Sequence, residues 1–296
     1  MLDSIARGAA DLLMSGAENI VNWILEIWRV IAGVVGGYTS TSAAQFNPAS
    51  WTHVTSIGVS GLSRTIGTSL VVVFFLFSWV RETSDLRNNL RPEYLFKLIL
   101  RLVIAEALVS NVLVIAEAVM SFSVSWVSQV IVGSSTELEG AREIFTGIRE
   151  SMDEIGAWEA AGLALAILLF SLVLTICIAV SAFQIILYVV KRFFKVYVAL
   201  PFGAPCLASV AGGERMWQPA ISWMKTFLVY NLEAVVIALA VGLSFTAFGN
   251  IGTTFADPGG GPAITCLVKM VGIAMPFLSC SAITTGAEEI IRRFIG

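Results

Sequence analysis

Five charged side chains stand inside stretches that are otherwise apolar: Arg64, Glu106, Glu117, Glu233 and Lys269. A charge left in hydrocarbon costs about 2.5–3.5 kcal/mol on insertion scales, so each must face protein, water or a partner. Glu106 and Glu117 are related by a short echo, Ile104-Ala105-Glu106-Ala107 and Ile115-Ala116-Glu117-Ala118. Eleven residues make about three helical turns, which puts both carboxylates on one helix face. Pairing between helices or between subunits is the adopted reading of these residues. Its rival is a proton or ion relay along the Glu106/Glu117 face. No acid, base and nucleophile converge elsewhere: the single histidine, His53, lies in a loop-like stretch, and no GxxxxGK[ST] phosphate loop is present. Cys177, Cys206, Cys266 and Cys280 show no metal-ligand spacing, so they read as buried thiols, and no cofactor is expected.

The elements that must position these residues are membrane helices. Of the 296 residues, 57% are hydrophobic and 13% charged, about half the charged share of an ordinary soluble chain. Ala160 to Val190 holds one sizeable polar side chain, Gln184, and exceeds the roughly twenty residues that cross a bilayer core. Lys191, Arg192 and Lys195 come next as a basic cluster that marks the cytoplasmic side. The stretch beyond them, 196–213, is interrupted by Pro201, Gly203 and Pro205. Prolines remove backbone donors, and at membrane depth the freed carbonyls must be answered by protein or water. This stretch reads as a re-entrant or interfacial elbow.

The fold expected is all-α: a polytopic helical membrane protein of about five spans, near 56–80, 95–132, 158–190, 224–248 and 263–287. Residues 1–55 divide from this 56–296 transmembrane domain as amphipathic helices and an outer loop. Leu2, Ile5, Ala9, Leu12 and Leu13 recur at helical spacing before Gly16, and Ile20, Trp23, Ile24, Ile27, Trp28 and Ile31 after it. Two helices lying on a membrane or a partner fit this pattern, with a span over 20–38 as the rival. Met1 to Ser15 lacks a signal-peptide layout, since Asp3, Arg7 and Asp11 interrupt it. Gly133 to Trp158 reads as a long outer loop rich in acids. Twelve of the eighteen basic residues fall at proposed cytoplasmic positions, among them Arg81, Arg87, Arg91, Lys97 and Arg101, which places the N-terminus outside and the C-terminus inside.

Phe194-Lys195-Val196-Tyr197-Val198-Ala199-Leu200-Pro201-Phe202-Gly203-Ala204-Pro205 resembles the aromatic-Lys, Ala/Pro-rich segment of TrbL-like conjugation proteins. The stretch from Glu214 to Lys225, with Ser222-Trp223-Met224-Lys225-Thr226-Phe227, is similar to the next segment of those proteins. They are polytopic inner-membrane components of type IV secretion systems. The resemblance implies a non-enzymatic, oligomerising subunit of the bacterial cytoplasmic membrane. It would contact lipid and other secretion-system subunits, with nucleic acid or protein in transit and separate ATPases driving transfer. A stand-alone channel or secondary transporter using the intramembrane acids is the alternative. A transporter of that kind pairs broken helices in its two halves, and here a single break is legible.

Overall fold

The computed structural model describes residues 2–83, 92–132, 140–153, 155–249 and 262–295. Among these every regular element is helical. In chain order they are α1 (Leu2–Thr39), α2 (Ala43–Phe46), α3 (Pro48–His53), a π-helix (Val54–Ser63), α4 (Arg64–Thr83), α5 (Pro92–Ser110), α6 (Val112–Val132), α7 (Gly140–Asp153) and α8 (Ala157–Ala199). The elbow comes next as a 3₁₀ turn (Leu200–Phe202), α9 (Gly203–Ala208) and two further 3₁₀ turns (Ser209–Gly212, Glu214–Met216). The chain then continues through α10 (Gln218–Gly249) and α11 (Pro262–Ile295). Six helical stretches, rather than about five, are long and apolar enough to cross a membrane, and α1 is the addition.

Residues 1–39, 127–189 and 236–287 form one compact unit. Here α1 is a single helix, where the sequence suggested two with a break at Gly16. A mid-helix glycine costs about 1 kcal/mol against alanine, yet Gly16 does not break α1. A Cβ there would lie 3.1 Å from Leu168 of α8, so the glycine admits a close helix contact. The buried seam of α1 is Ala6, Ala10, Met14, Ala17, Val21, Ile24, Leu25 and Trp28. Leu2, Ile5, Leu12 and Trp23 are instead between 62% and 73% exposed. Small side chains therefore make many of the helix contacts and large ones point out, as membrane helices commonly arrange them. Trp28 meets Phe277 edge-on at 4.7 Å, and Gln184 accepts a hydrogen bond from Ser281 at 2.8 Å.

The outer loop expected over Gly133 to Trp158 contains α7, whose Ile144, Phe145, Ile148 and Met152 are buried. Their i, i+1, i+4, i+8 spacing is the amphipathic signal. Arg149 of α7 donates to Glu18 of α1 at 2.8 Å.

Residues 40–126, 190–235 and 288–296 form the second unit. The stretch from Tyr38 to His53, read from sequence as a loop, holds α2 and α3. Ser42 and Gln45 form a capping box, and Asn47 caps α3 ahead of Pro48. The helix expected over 95–132 is interrupted at Asn111. Backbone hydrogen bonds nevertheless continue from Asn111 N to Ala107 O and from Ile115 N to Asn111 O, so α6 prolongs α5. Within this unit α4, α5 and the elbow pack on one another.

The faces assigned to α1 are testable by thermal unfolding of the detergent-solubilised chain. Ala17→Leu overfills a fully buried position and lowers stability by about 1–3 kcal/mol. Leu12→Ala at an exposed site stays within about 0.5 kcal/mol. The reverse ranking contradicts the assigned faces.

Candidate functional site

The charged residues, the basic cluster and the elbow separate into distinct environments. Glu233 of α10 is buried, with a side chain 3% exposed, and its partner is Lys195 of α8. The Lys195 ammonium donates to Glu233 Oε1 at 2.8 Å, to Oε2 at 3.2 Å and to Glu288 Oε2 of α11 at 2.7 Å. Arg292, one turn beyond Glu288, donates to Glu288 Oε1 through Nε at 3.0 Å and Nη2 at 2.9 Å. One ammonium thereby joins three helices. A lysine suits this role because its three donors can reach carboxylates arriving from different directions.

The basic residues expected as one cytoplasmic cluster do not share a surface. Lys191 is exposed, Arg192 is 4% exposed and Lys195 is committed to the ion pairs. Arg192 and Lys195 are three residues apart, so both turn toward the protein. Arg192 Nη2 donates to Thr41 O at 3.3 Å, and its guanidinium lies 4.5 Å from the Phe193 ring centroid. Its Nε and Nη1 have no hydrogen-bond partner among the described residues. Around it the 40–47 segment is pinned. Tyr197 donates to Ala43 O at 2.7 Å, and Phe46 stacks on Phe193 at 4.0 Å.

The elbow is a succession of short helical turns, not an unwound loop. Pro205 cannot supply the donor that an α-helix would direct at Pro201 O. The Ser63 hydroxyl supplies it instead. Gly203 N bonds Leu200 O in 3₁₀ fashion, so Ala199 O lacks its α-helical donor, and Trp223 Nε1 of α10 donates to it at 2.8 Å. Glycines make the close fit possible. A Cβ on Gly203 would fall 2.6 Å from the Trp223 ring and 2.7 Å from Val112, and one on Gly67 would fall 3.0 Å from both Ala204 and Val109. Gly213 ends the elbow at φ +84°, a conformation that favours glycine. A groove of about 580 Å³ opens beside it, lined by Lys191, Phe194, Val198, Phe202, Trp223 and Tyr230 among others.

Arg64, Glu106 and Glu117 form a further environment: all are exposed, and none makes an ion pair with a described residue. Lys269 belongs to the other unit, where its ammonium lies 3.0 Å from the position a Cβ on Gly147 would take. The residues missed from sequence were Glu288, Arg292, Ser63 and Trp223. Glu288 and Arg292 carry the i,i+4 acid-to-base signal at the end of an apolar run, and Trp223 lies in the stretch that resembles TrbL-like proteins. Ser63 carried no signal. Chemically, the ion-pair cluster and the elbow fix helices to one another.

The sequence profile of the family described as TrbL/VirB6 plasmid conjugal transfer like protein matches residues 29–204, more than half of the chain. No curated protein and no solved structure matches it.

Breaking the cluster on one side strands a buried carboxylate. Lys195→Met therefore costs about 3–5 kcal/mol. Lys195→Met combined with Glu233→Gln recovers more than half of that loss, because the charge left behind is gone. Melting of the purified chain in detergent measures both. Equal losses in the single and double variants contradict the pairing.

Proposed function

Because the chain belongs to the TrbL/VirB6 plasmid conjugal transfer-like family, we propose that it is a structural and conduit subunit of a conjugative transfer complex. It is a multi-pass bacterial membrane protein. In the proposed role it sits in the cytoplasmic membrane with five crossings, α1 not among them, its N-terminus outside and its C-terminus inside. It forms oligomers, binds other secretion-system subunits and lipid, and acts without catalysis while nucleic acid or protein passes. The family match carries the reading, since it runs from Arg29 in α1 through α4, α5 and α8 to Ala204 inside the elbow. The geometry supports it. Glu233, the most buried carboxylate among the described residues, is spent on joining helices through Lys195, which also reaches Glu288. A proton relay gains no support, because Glu106 and Glu117 lie on the outside of the chain instead of along an internal path.

The experiment is an in-frame deletion of the coding sequence in a transfer-proficient host, complemented in trans. Plasmid transfer to a recipient falls below detection on deletion and returns with the wild-type chain. Transfer that persists in the deletion strain overturns the assignment.

A further inference from the structure

The three exposed charges belong to one face. Gly67 of α4 lies against Val109 of α5, and Gly213 lies between Arg101 of α5 and Ser78 of α4. These contacts fix α4 and α5 as antiparallel, with 67 level with 109 and 78 level with 101. Arg64, three residues before Gly67, is then level with about Val112. Glu106 and Glu117 lie about 16 Å apart along the axis at 1.5 Å per residue, with Arg64 near the midpoint.

Direction comes from the same contacts. The seam of α5 and α6 is Ala105, Val109, Val112, Ala116 and Met120, all buried. Val109 points at Gly67, while Val112 points at Gly203 of the elbow. At 100° per residue, Glu106 and Glu117 lie roughly 60–80° beyond Val109, on the side away from the elbow. At the end of the π-helix, immediately before α4, Ser63 turns to Pro201 of the elbow. Arg64 lies about 60° round from Gly67 in the opposite sense. All three side chains therefore border the outer groove of the α4–α5–α6 pair, in the order acid, base, acid.

Arg64 and Glu117 lie inside helical stretches apolar enough to span, and Glu106 is level with about residue 70 of the α4 stretch. Glu106 accepts a hydrogen bond from Ser110 at 3.4 Å, and the side chains of Glu117 and Arg64 have no hydrogen bond or ion pair with a described residue. Three charges at this depth are not left to lipid. The groove carries one net negative charge. A second copy related by a two-fold axis along the membrane normal, with this face at the interface, would bring Glu106 to Glu106 and Arg64 to Arg64, since that rotation preserves depth.

We propose that this groove docks a transmembrane helix of another subunit, one carrying Lys or Arg at membrane depth. Glu106 and Glu117 accept its cations, and Arg64 between them sets its register. This rests on the chain working inside a transfer complex and names the kind of partner it meets there.

The test is site-specific photocrosslinking in cells that hold the complete transfer machinery. The photoreactive residue replaces Val103 or Val114, which are 57% and 62% exposed on this face. Val173 of α8, 57% exposed in the other unit, is the control. The expected adduct joins positions 103 and 114, and not 173, to a different polypeptide. The crosslinked peptide is an apolar helix with Lys or Arg within one turn. E106L/E117L reduces adduct yield about tenfold, whereas E106Q/E117Q, which still accepts hydrogen bonds, keeps most of it. An adduct with a second copy of this chain, an adduct with lipid alone, or a partner helix without a basic residue overturns the proposal. So does an unchanged yield in E106L/E117L. Should E106L/E117L not accumulate, the identity of the wild-type adduct decides by itself. Plasmid transfer by the wild-type strain, scored in the same cells, reports separately whether the chain serves conjugation at all.

Discussion

Every backbone carbonyl that loses its helical donor inside a membrane must find another within the protein. That requirement organises the second unit. Pro205 removes the α-helical donor for Pro201 O, and the 3₁₀ turn at Leu200–Phe202 diverts Gly203 N, the α-helical donor of Ala199 O, to Leu200 O. Ser63 and Trp223 answer these two groups from two different helices. Once those bonds are made, the elbow can lie only where the π-helix and α10 present them. Gly203 is then a necessity, since a side chain there would collide with Trp223 and Val112, and one at Gly67 would crowd Val109 and Ala204. The ten-residue π-helix, Val54–Ser63, runs past the same proline, with Gly58 against Pro201. A broken segment is thus held by specific partners on both sides.

Packing elsewhere answers to the solvent. Lipid is as apolar as leucine, so burying large aliphatic side chains between helices gains little, while close contact between small ones gains much. The alanine seams of α1 and of α5–α6 express this, as do the outward-facing Leu12, Trp23, Val173 and Phe183. The buried carboxylate of Glu233 is matched, while buried Arg192 holds Thr41 O and lies on Phe193 without an ion pair among the described residues. Lys195 meets Glu233 and Glu288, and Arg292 completes the second carboxylate. Where charges are exposed at membrane depth, as at Arg64, Glu106 and Glu117, the match is sought beyond the chain.

Much of this was legible from residue types. Runs such as Ala160 to Val190 announce membrane helices by length and composition alone, and the Ala-Glu-Ala echo placed Glu106 and Glu117 on one face. The prolines marked the elbow. What periodicity could not reveal was which face of an apolar helix turns inward, because large side chains stand on the lipid-facing side as well as in the core. In α1 the N-terminal half buries Ala6, Ala10 and Met14 and leaves Leu2 and Leu12 exposed, while the second half buries Ile24 and Trp28 as its periodicity suggests. Local signals at Ser42, Gln45, Asn47 and Ile144–Met152 were sufficient for α2, α3 and α7, yet were outweighed by the polar character of those stretches. Glu233 asked for a partner, and Lys195 was taken for a surface charge because its neighbours Lys191 and Arg192 are basic too. Only the fold, by bringing α8, α10 and α11 together, makes the pair visible.

The most direct test of the elbow as a packed, internally bonded element is hydrogen–deuterium exchange of the full chain in lipid nanodiscs. Amides of residues 203–212 should exchange as slowly as those in the body of α8. Replacing Ser63 by Ala and Trp223 by Phe together should speed exchange there while residues 165–185 stay protected. Fast exchange of residues 203–212 in the wild-type chain, or no change in the double variant, would contradict the account.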